Sequence, residues 1–221
     1  MQVAVLSGNI TMTTADAVVT AANEVMMGGG GVDGAIHQAA GFRLKNACAA
    51  VWAADEDAIG PGLHIQRGKR CPTGSVRPTP AFDLMAKWIF HAVGPVWPTG
   101  CENDEHPDYP GKTRVEVARG VLQSCYRKSL TLALTLDLKS IAFPAIGCGV
   151  YGVPHEECAR IAAEVCHDFR SCSLDVRFYI YPPAHLPIWN KAMHAVCNGA
   201  HGEVPMGTSF YHLVDSEGTP G

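Results

Sequence analysis

Asn23 and Asp33 bracket a run of four glycines, Gly28 to Gly31, and these residue types at this spacing are suited to holding a phosphorylated sugar. Successive glycines leave main-chain N–H groups unshielded and tolerate positive φ, so the backbone can close on a ligand where a Cβ would collide. An apolar run precedes the stretch and an alanine-rich one follows it, which sets the glycines between a strand and the positive end of a helix dipole. Asp33 is the carboxylate of this loop and could direct or deprotonate a water, while Asn23 could fix sugar hydroxyls. Two plainer roles stay open: Asp33 as the N-cap of a helix starting near Gly34, and Asn23 as a turn residue.

A second loop repeats the arrangement. The apolar run 141–146 leads into Gly147-Cys148-Gly149-Val150-Tyr151-Gly152, with a helix expected from about Pro154. Its glycines supply more free N–H groups at a helix N-terminus, and Tyr151 adds an aromatic face. Two such loops at the carboxyl ends of strands suit a diphosphate with sugars attached. Neither contains Lys or Arg, so main-chain donors are expected to hold the phosphates. Cys148 reads either as a nucleophile or as a small residue filling a turn, and the second is favoured because no neighbouring base can be named.

Other chemistries fit less well. Gly29-x-Gly31-x-x-Gly34 with Asp55 further on matches a dinucleotide fingerprint, yet that fingerprint starts directly at a strand end and here Asn23 to Gly28 intervene. A Rossmann-type oxidoreductase is therefore a minor alternative. His37, one turn past Asp33, reads as a buried, hydrogen-bonded histidine, and His91 as structural. His155, Cys158 and Cys166 show no closed metal spacing, and no metal and no organic cofactor is expected.

The elements that position these loops follow from apolar pattern and turn residues. Strands are expected at 3–6, 17–21, 88–93, 141–146 and 175–181, and helices at 34–54 with a break at Gly41, 112–135, 154–169 and 183–196. Residues 60–80 and 98–111 read as long loops. Alternating strands and helices imply a three-layer α/β/α sandwich around a mixed, mostly parallel sheet. One domain over residues 1–197 is expected, with 198–221 as a tail, extended or partly disordered.

Composition narrows the function classes. The 221 residues are 47% hydrophobic and 17% charged, enough for a buried core and too little charge for disorder. A net charge of −4 disfavours a nucleic-acid partner. Nine cysteines, an odd number without a C-x-x-C pair, fit reduced thiols. With no signal-peptide pattern and no membrane-length apolar run, a cytoplasmic protein without a membrane partner is expected.

In order along the chain, GNIT, DAVVTAAN, GGGGVDGAIHQAAG, HAVGP and IAFPAIGCGVYG resemble the MacroD-type macrodomains, a family of ADP-ribose-binding modules and hydrolases. The resemblance spans most of residues 3–166. It implies a cleft for ADP-ribose and either removal of mono-ADP-ribose from acidic side chains of proteins or deacetylation of O-acetyl-ADP-ribose. A non-catalytic reader of ADP-ribose is the alternative. By the resemblance, Asn23 and Asp33 hold and activate the distal ribose, lined by Gly30, Gly31 and Val32; Gly147, Cys148, Gly149, Val150 and Tyr151 wrap the diphosphate; Asn9 and Ile10 meet the adenine. The chain departs from the pattern where Asn9 replaces the usual Asp, Thr20 the usual Asn and Gly147 a common Ser. A neutral Asn9 implies weaker adenine binding, and Thr20 loses an amide that could fix the Asn23 turn.

Overall fold

The computed structural model describes residues 1–56, 69–196 and 208–212. The first half of the chain forms β1 (Gln2–Leu6), β2 (Ala17–Ala21), α1 (Gly31–Ala40), α2 (Arg43–Glu56), β3 (Val76–Pro80), β4 (Trp88–Ala92), β5 (Glu105–His106) and β6 (Tyr109–Thr113). The second half forms α3 (Arg114–Thr135), β7 (Ser140–Pro144), α4 (His155–Asp168), β8 (Asp175–Tyr179), α5 (Leu186–Val196) and β9 (Thr208–His212).

Seven strands make one sheet in the order β3-β4-β2-β7-β8-β1-β9. The five inner strands run parallel, while β3 and β9 close the two edges antiparallel. This is the expected mixed, mostly parallel sheet, and helices cover both faces. The period of two along each strand divides the core. Ala17, Val19, Phe90, Ile141 and Phe143 face α3, α4 and α5, where Tyr126, Ala162 and Trp189 meet them. Val18, Ile89 and Ala142 face α1 and α2, against Ile36, Ala40, Leu44 and Cys48. Phe143 and Phe178 stack at 5.4 Å, and Trp189 tilts onto Phe178 at 5.1 Å.

Parallel strands buried on both faces point their carboxyl ends the same way, and both glycine loops leave from that end. The break at Gly41 is present, with φ +79°. Several expectations are corrected. Residues 76–80, read as loop, form edge strand β3; Pro78 and Pro80 obscured it, and proline is tolerated there because an edge needs fewer N–H donors. Residues 60–68 of that expected loop lie outside the described residues. The second expected loop holds the hairpin β5–β6, and α3 starts at Arg114 rather than Lys112. Thr113 and Glu116 set that start through a capping box. Within the segment read as a tail, β9 pairs with β1; residues 198–207 and 213–221 lie outside the described residues.

Candidate active site at the carboxyl ends of β2 and β7

After β2, the Ala22 amide donates to Ala92 O at 2.9 Å and holds the strand end against β4 until Asn23 turns the chain. The Asn23 side chain builds that turn: Oδ1 accepts from the amides of Val25 and Met26, each at 3.1 Å, and Nδ2 donates to Gly28 O at 3.2 Å. The turn role of Asn23 is thus present. Thr20 takes no part in this turn, because its hydroxyl is engaged with Asp33.

Helix α1 starts at Gly31 with Gly30 as its N-cap, so Asp33 lies inside the first turn. The N-cap reading of Asp33 is therefore wrong. Its carboxylate is buried, 3% exposed, and Thr20 Oγ1 donates to Oδ1 at 2.8 Å across 13 residues of sequence. Oδ2 is buried without a hydrogen-bond partner. Burial pushes the Asp33 pKa up, against the opposing hydrogen bond from Thr20 and the field of His37. A Cβ on Gly29 would make ordinary contact, 3.4 Å from Asp33 Oδ2 and 3.5 Å from Asn23 Nδ2. At Gly34 a Cβ would come 2.5 Å from Gly29 O, so a side chain would displace the loop itself.

The second loop leaves β7. Gly147 has φ +79°, and a Cβ on it would approach Val153 Cγ2 at 2.7 Å, which explains a glycine where a serine is common in the resembled family. Closing bonds run from Cys148 N to Ala145 O, Gly152 N to Gly149 O and Val153 N to Gly147 O. The amides of Gly149, Val150 and Tyr151 have no part in them. Trp97 N donates to Tyr151 O at 2.7 Å, anchoring the loop to the segment after β4. Cys148 is not an activated nucleophile: a hydrogen bond with Cys158, then burial, hold its thiol pKa well above the usual range.

Two cavities meet at Gly31, Val32, Ala145 and Gly149 and form one elongated cleft. The first, about 300 Å³, is lined by Asn23, Gly30, Gly31, Val32, Asp33, Gly147, Gly149, Val150 and Tyr151. The second, about 840 Å³, is lined by Asn9, Ile10, Gly31, Val32, Cys148 and Gly149. Every residue that the resemblance assigns to ADP-ribose thus borders the cleft, and among the described residues no Lys or Arg does. Asn9 caps a short 3-10 turn, Ile10–Met12; its Oδ1 accepts from Thr11 N at 3.1 Å and Thr11 Oγ1 at 2.9 Å.

Other lining residues escaped the sequence reading. Gly94 packs so tightly that a Cβ would sit 2.9 Å from Ile146 Cγ2; the HAVGP motif carried that signal. Tyr179, Tyr181, His155 and His185 wall the second cavity, with the two imidazoles stacked at 3.7 Å. Trp189 Nε1 donates to His155 Nδ1, and burial followed by the field of His185 lowers the His155 pKa. His155 starts α4 while Tyr179, Tyr181 and His185 lie at or after the end of β8, and the fold brings the two segments together. Thr20 was noted only as a departure, and its bond to Asp33 lies in the fold. His37 is buried as expected, but neither ring nitrogen has a hydrogen-bond partner. His91 is buried, and its Nε2 lies 2.9 Å from Thr79 Oγ1.

The Macro domain family model matches residues 19–162. The chain belongs to the macro domain family. It is 42% identical over 191 residues to a macro domain-containing protein of Vibrio parahaemolyticus, covering 86% of this chain and 96% of that one. Among solved structures, the macrodomain of Oceanobacillus iheyensis with ADP superposes with a TM-score of 0.73 at 32% identity, over 87% of this chain and 90% of that one. The Trypanosoma brucei macrodomain in complex with ADP-ribose gives 0.65 at 32% identity, over 86% and 68%. Membership sets aside the dinucleotide-fingerprint reading of the first loop; the side chain of Asp55 lies outside the described residues.

Proposed function

We propose that this macrodomain binds ADP-ribose in the cleft and hydrolyses its esters, releasing mono-ADP-ribose from acidic side chains of proteins, deacetylating O-acetyl-ADP-ribose, or both. The observation that carries the reading is the buried carboxylate of Asp33 in the cleft wall, with one oxygen fixed by Thr20 and the other unpartnered. Adenine would lie beside Asn9 and Ile10, the diphosphate against the amides of Gly149, Val150 and Tyr151, and the distal ribose between Asn23 and Asp33. Main-chain donors suit a cleft in which no described residue is Lys or Arg. The solved relatives with ADP and ADP-ribose support this class of ligand.

In the reaction, Asp33 directs a water at the anomeric carbon or at the acyl carbon. The water oxygen forms the new bond, its proton passes to Asp33, and the ester C–O bond breaks to leave a carboxylate and free ADP-ribose. A carboxyl whose pKa is raised by burial is the better base near neutral pH. Asn23 keeps the loop closed through Val25, Met26 and Gly28, which holds the ribose in register. No step calls for a metal or an organic cofactor.

The eight described cysteines are all free, in keeping with the cytoplasmic location we propose. No described helix is long and apolar enough to cross a membrane. The reading is tested by incubating the protein with a mono-ADP-ribosylated protein and following release of free ADP-ribose. Release by the parent and its loss in Asp33→Asn is the expected result. Binding of ADP-ribose without release makes the protein a reader.

A further inference from the structure

Behind the ribose end of the cleft, between the sheet and its α1–α2 layer, lies a cluster that ester hydrolysis does not use. His37 comes from α1, Cys48 from α2 and His91 from β4. One ligand atom of each lies within 4.8 Å of the others, and Cys48 Sγ is 3.7 Å from His91 Nε2. The three residues are 7%, 0% and 0% exposed. Both ring nitrogens of His37 and Nδ1 of His91 are buried without a hydrogen-bond partner. Buried polar groups are ordinarily satisfied, and leaving one unsatisfied costs about 1–3 kcal/mol. Here two histidines that share three unsatisfied nitrogens lie beside one buried thiol.

We propose that His37, Cys48 and His91 bind a zinc-type divalent cation, through one ring nitrogen of each histidine and the Cys48 sulfur. Nitrogen and sulfur donors select a borderline-soft cation over magnesium or calcium. Tetrahedral bonds of about 2.0–2.3 Å put ligand atoms roughly 3.3–3.8 Å apart, so side-chain rotation closes the remaining gap. Charge also balances: the thiol proton leaves to solvent, and the Cys48 thiolate with the Asp33 carboxylate, 3.7 Å from His37 Nε2, offsets the two positive charges. The metal ties α1, α2 and β4 together beneath Asp33, and the inference does not depend on the ADP-ribose reading.

The test uses chelator-stripped full-length protein titrated with zinc alone and with cobalt alone. The expected result is one equivalent of zinc per chain and a thiolate-to-cobalt charge-transfer band. Cys48→Ala should lose the band and His91→Gln should weaken zinc binding at least about tenfold. No zinc uptake by the parent, or no thiolate band, overturns the proposal; so does undiminished uptake by Cys48→Ala. Where a variant fails to fold, the parent's zinc stoichiometry and cobalt spectrum decide. ADP-ribose calorimetry on the stripped parent separates the two readings, since binding there without zinc uptake refutes the metal site alone.

Discussion

At the residue scale, Asp33 and Asn9 make distinct demands on a substitution. Asp33→Asn keeps the shape and an acceptor for Thr20 but removes the base, so turnover is expected to fall about 10²–10⁴-fold while ADP-ribose binding survives. Because Gly30 caps α1, the melting temperature should change little; parent-like turnover would assign Asp33 to structure alone. Asn9 spends its carbonyl oxygen on Thr11. Asn9→Asp supplies a free charged acceptor for the adenine amino group. Titration calorimetry is expected to show about fivefold tighter ADP-ribose binding, equivalent to roughly 1 kcal/mol; unchanged or weaker binding removes adenine from Asn9.

Loops and helices answer to different physics. Gly149 borders both cavities, and a Cβ there would meet nothing within 4 Å, so Gly149→Glu is expected to fold normally yet fill the diphosphate seat with an anion. Binding should become undetectable by calorimetry while the circular dichroism and melting curve stay near the parent's. Between helices, Arg119 of α3 grips Glu157 of α4 through two bonds of 3.0 and 2.8 Å. The hydrogen bond with Arg119 leads the causes that lower the Glu157 pKa. The folded chain thus holds this carboxylate ionised at pH values where the unfolded chain protonates it. The stabilisation is complete above the unfolded value and is lost as pH falls through the lowered one. Arg119→Leu should cost about 1 kcal/mol or less near pH 7, given the partial exposure, and less at pH 3. Urea melts at both pH values check the sign.

At the scale of the whole molecule, sequence periodicity revealed the parallel interior better than its margins. Strand β2 falls where the run 17–21 put it, since a strand buried on both faces must be continuously apolar. Edge strand β3 was hidden by its prolines, and β9 by the absence of a clear period. The cleft was readable because glycine runs and strand ends are local signals. Thr20 against Asp33, and His37 with Cys48 and His91, were not, because the sheet and its covering helices bring them together. Deleting residues 207–221 removes β9 and bares the N–H and C=O row of β1. The shortened chain is expected to melt several degrees lower and to self-associate; an unchanged melting point and elution volume would make β9 dispensable.

The place of β1 also sets a timetable. Val3 lies opposite Val176 on one side and Tyr211 on the other, so β1 leaves the ribosome well before either of its neighbours. At ~5–20 residues per second, about ten to thirty seconds of translation separate it from the first of them. During that interval its apolar residues Val3 and Val5 have no sheet to enter, and Asn9, just downstream, has no wall opposite it. Such a chain favours a nascent state shielded by chaperone, and a ligand in the cleft can assist folding only once β8 has emerged.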